Sequence, residues 1–362
     1  MRGLAGKLIL ALASTAVVLV VVELAVRWLA GGTVVYPGVI YRSGATELWC
    51  YDGHFNGEAD WDLRRGAPYG PLQYAGNIDD DPRLEGLDPQ AVYNAVEVRL
   101  NDLQFRERPE ADLVEAMAGE GPVTLVVGDS FCFGQGVRLR DRFSDIIQAD
   151  LTSRDRTHIV YNMCVPGMNI QRIARVQREA VKRFGAPARM LYSYTLNDPI
   201  RDIESRALED SIYDLMHFRR RGFEAEYRSP LWRSAALRWL MERRTRQLVA
   251  ARTVAWYQRL YGDNPGWRQT ARVLAEMRAF CAARDIELAL VVFPLFHQLG
   301  DYPLAQAHQQ LKQAADGMPF VDLLEVFAGK DERDLWVHPT DFHPNGRAHR
   351  MAAEHLLAAL AW

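Results

Sequence analysis

The chain is poor in cysteine and has no cysteine pair at the spacing of a metal or redox site. Its 362 residues include four cysteines, Cys50, Cys132, Cys164 and Cys281, and no two of them form a CxxC motif. This spacing argues against a zinc ribbon and against a thioredoxin-type site.

A strong net charge is also missing. The formal net charge is -3 at pH 7 and the sequence pI is about 6.3, so the chain lacks the basic footprint of a nucleic-acid-binding protein. The stretch Gly134-Gln135-Gly136 lacks the third glycine of a dinucleotide-binding fingerprint. The sequence therefore predicts neither a nucleic-acid partner nor a nucleotide cofactor.

What the chain does have is one long uncharged run, close to its N-terminus. Arg2 and Lys7 precede fifteen uncharged residues, Leu8 to Val22, and the apolar character continues to Ala30. At ~1.5 Å per residue this stretch is long enough to cross a bilayer. Residues 1–30 are therefore predicted to span a membrane.

Two charged residues favour a membrane anchor over a cleaved signal peptide. The small residues at 30–32 would suit a cleavage site. Glu23 and Arg27, however, suit the far end of a spanning helix, from which charged groups reach the interface. We therefore expect an uncleaved single-pass anchor with a cytoplasmic N-terminus, because the basic residues lie at the very start, and a periplasmic main chain.

Residues 31–120 form the second predicted region. They are rich in glycine, proline, aspartate and aromatic residues, with short extended pieces such as VVYPGVIYR and AVEVRL. No helical period persists over a useful length. This composition predicts a loop-rich, partly β segment between the membrane and the main domain.

From residue 121 onward, short apolar strands alternate with amphipathic helices. Strands are predicted near Val123–Val127, His158–Met163, Arg189–Tyr194, Glu287–Phe293 and Pro319–Leu323. Helices are predicted near Phe143–Leu151, Ile170–Phe184, Trp267–Arg284, Leu304–Ala315 and Asn345–Leu360. This alternation is typical of a parallel sheet covered on both faces, so residues 121–362 are predicted to form a three-layer α/β/α domain.

Residues 199–264 interrupt this alternation, and this insert is longer than a single crossover helix between two strands requires. Within this insert Trp239, Leu240, Leu248 and Trp256 recur at helical spacing with arginines between them, which predicts amphipathic helices. A solvent-exposed arginine-rich face is the favoured interpretation, and contact with anionic lipid or an anionic polymer is the alternative.

Polar loops follow the first three predicted strands, at Gly128-Asp129-Ser130, Val165 to Asn169 and Thr195 to Asp198. The carboxyl ends of parallel strands meet at one edge of a sheet, where ligands bind. Ser130 suits a nucleophile there, with His343, just before the last helix, as the base that removes its proton. The backbone N–H groups of Ser130 and Gly167 and the side-chain amide of Asn197 are candidate oxyanion donors.

These blocks, Gly128-Asp129-Ser130, Gly167, Asn197-Asp198 and His343-Pro344-Asn345, resemble in type and order those of the SGNH (GDSL-type) hydrolase superfamily. The resemblance covers residues 122–362 except the insert. The upstream LNDLQFRERPE and the N-terminal helix are similar to the membrane-anchored bacterial branch. The resemblance implies a flavodoxin-like sheet and a Ser-His-Asp esterase or O-acyltransferase that works through an acyl-enzyme and needs no metal or cofactor. Expected substrates are O-acyl (acetyl) groups of carbohydrate or lipid, with envelope polysaccharide biosynthesis proteins as partners.

The histidine block departs from the common pattern. Many members of the superfamily carry Asp three residues before the histidine, whereas here Thr340 stands at that position and Asp341 lies two residues before His343. Residues two apart in an extended segment point the same way, so Asp341 is the expected orienting carboxylate. A Leu196-Asn197 pair also replaces the Gly-x-Asn common in the third block and leaves Asn197 in place.

Other interpretations stay open. His338, Asp341 and His343 have the residue types of a metal site. A non-catalytic protein that binds or assembles envelope polysaccharide would keep the same fold. His349 and His355, on the last predicted helix, are interpreted as structural or solvent-facing.

Two of the cysteines could form a disulfide or remain free thiols. Cys132 and Cys164 both follow predicted strands near one sheet edge and are the best-placed pair, but two buried free thiols are the favoured interpretation.

Overall fold

The computed structural model describes residues 2–29, 40–43, 46–49, 101, 103, 105–154, 156–212, 234–338 and 341–362. Two compact units divide the chain. Met1–Tyr36 with Arg206–Trp256 forms the first, here called the helical unit, and Pro37–Ser205 with Tyr257–Trp362 forms the second, here called the sheet unit.

The helical unit contains the long N-terminal helix α1, Arg2–Leu29. Within it, Gly6–Leu29 is long and apolar enough to cross a membrane, and most of its large apolar side chains are exposed. Most of the insert that the structure describes is one helix, Ala235–Leu260. Of its apolar residues, Trp256 is buried, whereas Trp239, Leu240 and Leu248 are exposed.

The sheet unit is built on five parallel strands. In chain order they are β3 (Val123–Gly128), β4 (Ile159–Asn162), β5 (Arg189–Thr195), β6 (Glu287–Phe293) and β7 (Phe320–Asp322). A separate antiparallel hairpin, β1 (Ile40–Ser43) and β2 (Thr46–Trp49), precedes them. The extended piece AVEVRL, predicted from the sequence, lies outside the described residues.

Helices follow the strands as the apolar period predicts. They are α2 (Glu110–Ala118), α3 (Ser130–Phe133), α4 (Phe143–Ser153), α5 (Ile170–Phe184), α6 (203–212), α7 (Ala235–Leu260), α8 (Pro265–Ala282), α9 (Ala305–Ala314), α10 (Leu324–Phe327) and α11 (Gly346–Ala359). Two short 3₁₀ turns lie at Leu139–Asp141 and Glu332–Leu335.

The core lies on both faces of this sheet. Every residue of β3 and of β5 is buried, which is why these strands read as continuous apolar runs rather than as alternating ones. Val126, Leu191 and Val291 belong to one cluster with residues of α4 and α11, while α5 packs against α8. The predicted three-layer α/β/α class is confirmed.

The strand order is β4-β3-β5-β6-β7, with every neighbouring pair parallel. The chain moves outward from β3 to β4 and then returns across β3 to β5, so the direction of winding reverses between β3 and β5. This is the flavodoxin-like order, in which the crevice for ligands lies outside the carboxyl ends of the two strands at the reversal. Ser130 follows β3 and Asn197 follows β5.

Candidate active site

Ser130 lies at the carboxyl end of β3 as the first residue of α3. The preceding Asp129 caps this turn, because its Oδ1 accepts a hydrogen bond from the Phe131 N–H at 3.1 Å. A Cβ at Gly128 would lie 2.4 Å from the Ser193 carbonyl oxygen, so only glycine allows β3 to approach β5 this closely. The strand therefore ends with Ser130 held at the sheet edge, with 8% of its surface exposed.

His343 is the partner of this serine. Its Nε2 lies 2.9 Å from Ser130 Oγ, within hydrogen-bond distance. The imidazole also packs on the Phe131 ring, with 5.3 Å between ring centroids, and Phe131 in turn packs on Phe293 and Phe296. A hydroxyl beside an imidazole is the arrangement that a base needs to activate a serine nucleophile.

A short hairpin carries His343. Strands β8 (Trp336–His338) and β9 (Asp341–Pro344) pair antiparallel, with Trp336 opposite Pro344 and His338 opposite Asp341. Asn345 fastens the end of this hairpin, because its Nδ2 donates to the carbonyl oxygens of Asp334 at 2.8 Å and Trp336 at 3.1 Å. Its Oδ1 accepts from the Ala348 N–H at 3.0 Å and so caps α11.

Asp341 is described only as part of the backbone of β9. Its side chain and that of His338 lie outside the described residues, as does Thr340. The orienting role of Asp341 therefore stays a prediction, and so does the alternative metal site.

Hydrogen bonds join the three loops that the sequence placed at one edge. The Val165 N–H donates to the Gly128 carbonyl oxygen at 3.1 Å, which links the second loop to the first. The Ile170 N–H donates to the Asp198 carbonyl oxygen at 3.0 Å, which links the second loop to the third. Thr195 Oγ1 donates to Asp129 Oδ1, which links the third loop to the first.

The two remaining oxyanion candidates lie in these linked loops. Gly167 is exposed and has a φ of 74°, a left-handed conformation that glycine adopts without the steric cost of a Cβ. Asn197 is half-buried, and its Oδ1 has no hydrogen-bond partner among the residues that the structure describes. Both residues are therefore placed where the serine loop, β5 and the second loop converge.

Cys132 and Cys164 form a disulfide, so the expectation of two buried free thiols is wrong. The cysteines follow β3 and β4, which are paired neighbours in the sheet. Their Cα atoms are 5.8 Å apart, inside the range that a disulfide spans. The bond joins the helix that begins with Ser130 to the loop that contains Gly167. Cys281 is a buried free thiol.

The third loop ends in a buried acid. Asp198 is fully buried and its Oδ2 accepts hydrogen bonds from Tyr192 Oη at 2.8 Å and from the Thr195 N–H at 3.2 Å. Burial, followed by the nearby Asp129 carboxylate, raises the pKa of Asp198 well above its usual range. Its Oδ1 has no partner within the described chain.

A buried arginine supports the turn after the nucleophile. Arg106 Nη1 donates to the Gly134 carbonyl oxygen at 2.7 Å, and Nη2 donates to that of Val137 at 2.7 Å. Arg142, also buried, donates to the Arg106 carbonyl oxygen and to Glu107. Arg106 and Glu107 belong to the LNDLQFRERPE stretch, which by sequence alone predicts no role for either residue. Their roles could not be predicted from the sequence, because their partners at 134, 137 and 142 are distant in the chain.

His349 is buried on α11 as a neutral structural residue. Its Nδ1 accepts a hydrogen bond from the Phe143 N–H at 3.3 Å, and its ring stacks on Phe143. Burial, with Arg142, Arg106 and His343 nearby, lowers the pKa of His349 to about 3. The structural interpretation of this residue fits its position.

No family model and no curated protein matches this chain. Solved structures that are similar to it include three proteins. The first is TesA, the second is a lipolytic protein of the G-D-S-L family from Desulfitobacterium hafniense, and the third is a catalytic mutant of the acetylxylan esterase Axe2 from Geobacillus stearothermophilus. Sequence identities are 15%, 13% and 14%, and TM-scores are 0.42, 0.40 and 0.39. The matches cover 66%, 66% and 67% of this chain and 97%, 100% and 94% of the respective structures.

Proposed function

We propose that this protein is a serine esterase of the SGNH type, with Ser130 as nucleophile, His343 as base and Asp341 as the carboxylate that orients His343. The observation that carries the proposal is the 2.9 Å contact between His343 Nε2 and Ser130 Oγ at the reversal point of the sheet. A structural cap or a surface histidine would not require this contact. Acyl transfer requires it, because a neutral hydroxyl attacks a carbonyl poorly until a base takes its proton.

The reaction proceeds through an acyl-enzyme. Ser130 Oγ attacks the ester carbonyl carbon while its proton passes to His343 Nε2. The carbonyl oxygen becomes an oxyanion, which accepts hydrogen bonds from the Ser130 and Gly167 N–H groups and from the Asn197 amide. When the tetrahedral intermediate collapses, the alcohol leaves with the proton from His343, and the acyl group stays on Ser130.

The second half returns the enzyme to its first state. His343 takes a proton from a water molecule, whose oxygen attacks the acyl-enzyme carbonyl carbon. When the resulting tetrahedral intermediate collapses, the bond to Ser130 Oγ breaks, His343 returns the proton to Ser130 Oγ, and the acid leaves. Attack by a sugar hydroxyl in place of water would make the protein an O-acyltransferase by the same steps. The proposed substrates are O-acyl groups, such as acetyl groups, of carbohydrate or lipid.

Two features support a location outside the cytoplasm. Helix α1 includes a stretch able to cross a membrane, and Arg2 and Lys7 at its start favour a cytoplasmic N-terminus. The Cys132–Cys164 disulfide suits an oxidising compartment. We infer a protein tethered by α1 with its sheet unit in the periplasm, where proteins of envelope polysaccharide biosynthesis are its proposed partners.

The test is covalent labelling of the full chain with a fluorophosphonate probe, which reacts with activated serines. We expect labelling of the wild type and loss of labelling and of p-nitrophenyl acetate hydrolysis in Ser130→Ala and His343→Ala. Ser153→Ala, which removes an exposed serine at the end of α4, serves as the matched control and should behave as the wild type. Folded wild-type protein that neither reacts with the probe nor hydrolyses the ester would reject the esterase in favour of a binding protein with the same fold.

A further inference from the structure

Glu23 of the N-terminal helix caps a helix of the insert. Its carboxylate accepts hydrogen bonds from Ser234 Oγ at 2.8 Å, from the Ala235 N–H at 2.8 Å and from the Ala236 N–H at 3.0 Å. Ser234 Oγ in turn accepts from the Leu237 N–H at 3.1 Å. Three of the four N–H groups that a helix start leaves without an internal partner are thereby satisfied. The contact explains why a carboxylate interrupts an otherwise apolar run.

The position of Glu23 along α1 sets the depth at which α7 begins. Glu23 lies sixteen residues after Lys7 and Arg27 lies twenty residues after it, or ~24 Å and ~30 Å along a helix. The hydrocarbon core of a bilayer is ~30 Å thick. With Lys7 at the inner boundary, Arg27, whose Nε donates to Glu23 Oε1 at 2.8 Å, reaches the outer boundary. The start of α7 is thus held within ~6 Å of the outer boundary.

One side of α7 near this start is apolar and basic. Successive residues of a helix are separated by ~100°, which places six exposed residues on one half of the helix surface: Trp239, Leu240, Arg243, Arg244, Gln247 and Leu248. None of the six is acidic. The Arg243 guanidinium lies over the Trp239 ring, 5.4 Å from its centroid.

This combination has the chemistry of a lipid interface. Tryptophan is enriched at the level of the headgroups, and arginine extends its charge to lipid phosphates while its stem stays in apolar surroundings. Trp239, Leu240 and Leu248 expose 46%, 57% and 38% of their surface. Contiguous exposed apolar residues of this kind mark a surface that binds a partner or a membrane. We propose that this face, here called the lipid face of α7, lies on the outer leaflet of the bilayer that α1 spans and binds anionic phospholipid headgroups. Glu23 holds the start of α7 at the depth that this contact requires.

The inference rests on the membrane tether proposed above and goes beyond it. A tether alone would leave the insert free of the bilayer. With the lipid face engaged, the insert runs along the membrane from the point where α1 leaves it. The arginines supply the preference for anionic lipid.

A nitroxide spin label at residue 240 tests whether the lipid face lies in the bilayer. The full-length protein carries Cys50→Ser and Leu240→Cys, and Cys281 is buried and does not compete for the label. The labelled protein is reconstituted in vesicles that contain phosphatidylglycerol. Paramagnetic resonance then measures how often the nitroxide collides with oxygen, which concentrates in the bilayer, and how often it collides with a water-soluble nickel complex. We expect a high oxygen-to-nickel ratio that falls roughly threefold or more in Arg243→Glu with Arg244→Glu and in vesicles of phosphatidylcholine alone.

Two variants separate the causes. Glu23→Leu leaves both arginines in place and removes the cap, so we expect a lower ratio and a more mobile label. Arg178→Glu with Lys182→Glu reverses two exposed charges one turn apart on α5 of the sheet unit and should leave the ratio at the wild-type value.

Carbonate extraction and ester hydrolysis distinguish this proposal from the proposed function. A water-exposed label on protein that resists carbonate extraction would overturn the lipid face and keep the tether, whereas extraction by carbonate would overturn both. A soluble anionic polysaccharide that releases the label from the bilayer would show a polymer site instead and overturn the proposal. Hydrolysis of p-nitrophenyl acetate should stay unchanged in Arg243→Glu with Arg244→Glu, since neither residue belongs to the candidate active site.

Discussion

The two sides of the candidate active site are held in different ways. The nucleophile side, residues 128–133, 163–170 and 195–198, has a disulfide and three hydrogen bonds between its loops. The histidine side, residues 335–338 and 341–345, is a short hairpin fastened by Asn345, and its Phe342 is 40% exposed. The proposed nucleophile and oxyanion donors thus lie in loops that are cross-linked to one another, while the proposed base lies on a short hairpin.

This difference has a consequence for catalysis. Donors that stabilise an oxyanion act best when they need no rearrangement during the reaction, and the cross-linked loops supply that rigidity. A base needs only the correct orientation of one ring. Changes on the nucleophile side should therefore affect stability and activity together, whereas changes on the histidine side should affect mainly activity.

The largest expected effect is on the histidine side. Asp341→Asn removes the charge that we propose orients His343 and stabilises it once protonated, so kcat for p-nitrophenyl acetate should fall ~10³–10⁴-fold. The melting temperature should stay within ~2 °C of the wild type, because asparagine keeps the size and shape of the side chain that it replaces. Asp334→Asn, an exposed carboxylate that pairs with Arg347 at 3.5 Å, is the control and should retain full activity. A kcat of Asp341→Asn close to that of the wild type would remove Asp341 from the mechanism.

Breaking the disulfide tests the nucleophile side. Cys132→Ala with Cys164→Ala should lower the free energy of unfolding by about 4 kcal/mol, because the bond closes a loop with a sequence separation of 32. The value of kcat should fall as well, since the loop of Gly167 is no longer tied to the helix of Ser130. Denaturant titration and initial rates measure the two effects.

Cys281→Ala is the matched control for that experiment. This thiol is buried and accepts a hydrogen bond from Gln177 Nε2 at 2.9 Å, so its loss should cost about 1 kcal/mol and leave kcat unchanged. If the double variant kept both wild-type stability and wild-type kcat, the proposed division between a rigid and an adjustable side would be wrong.

The buried His349 should make the folded protein less stable in acid. His349 stays neutral in the folded protein down to about pH 3, whereas an unfolded histidine takes up a proton below about pH 6.5. The unfolded state therefore binds more protons in this window, and stability is lost as the pH falls. Between pH 6.5 and pH 4 the loss from this residue is at most about 3 kcal/mol.

His349→Gln sharpens this prediction. Glutamine keeps an acceptor for the Phe143 N–H but does not titrate, so its unfolding free energy should vary less between pH 6.5 and pH 4 than that of the wild type. His355→Gln, on the same helix and only partly buried, is the control and should follow the wild type. Equal pH dependence of His349→Gln and the wild type would contradict a buried neutral His349.

The smallest expected effect again concerns the histidine side. Asn345→Ala removes a helix cap and two hydrogen bonds that fasten the hairpin, so stability should fall by about 1 kcal/mol and kcat should fall about tenfold. Asn264→Ala removes a cap of the same design, because Asn264 accepts from the Trp267 N–H and donates to the Arg259 and Tyr261 carbonyl oxygens. It should lose similar stability at unchanged kcat. Equal loss of activity in both variants would show a general effect of stability.

The strands and helices of the sheet unit were predictable because their signal is local. Ile170–Phe184 and Glu287–Phe293 have the predicted bounds, and other elements differ by a few residues at their ends, where hydrogen bonding rather than the apolar pattern decides. Ser130 could be found because it follows an apolar strand, and His343 because it lies shortly before the last helix. The free-thiol prediction for Cys132 and Cys164 failed because pairing depends on a distance across the sheet.

By itself, the sequence determined the apolar N-terminal run, the α/β alternation and the residues at the ends of the strands, since each follows from neighbours within a few positions. Only the tertiary structure decided the contact of Ser130 with His343, the pairing of the cysteines, the neutral state of His349 and the capping of α7 by Glu23. Each of these joins residues far apart in the chain. Their distances, and the low polarity around them, arise only when the helices and strands pack together.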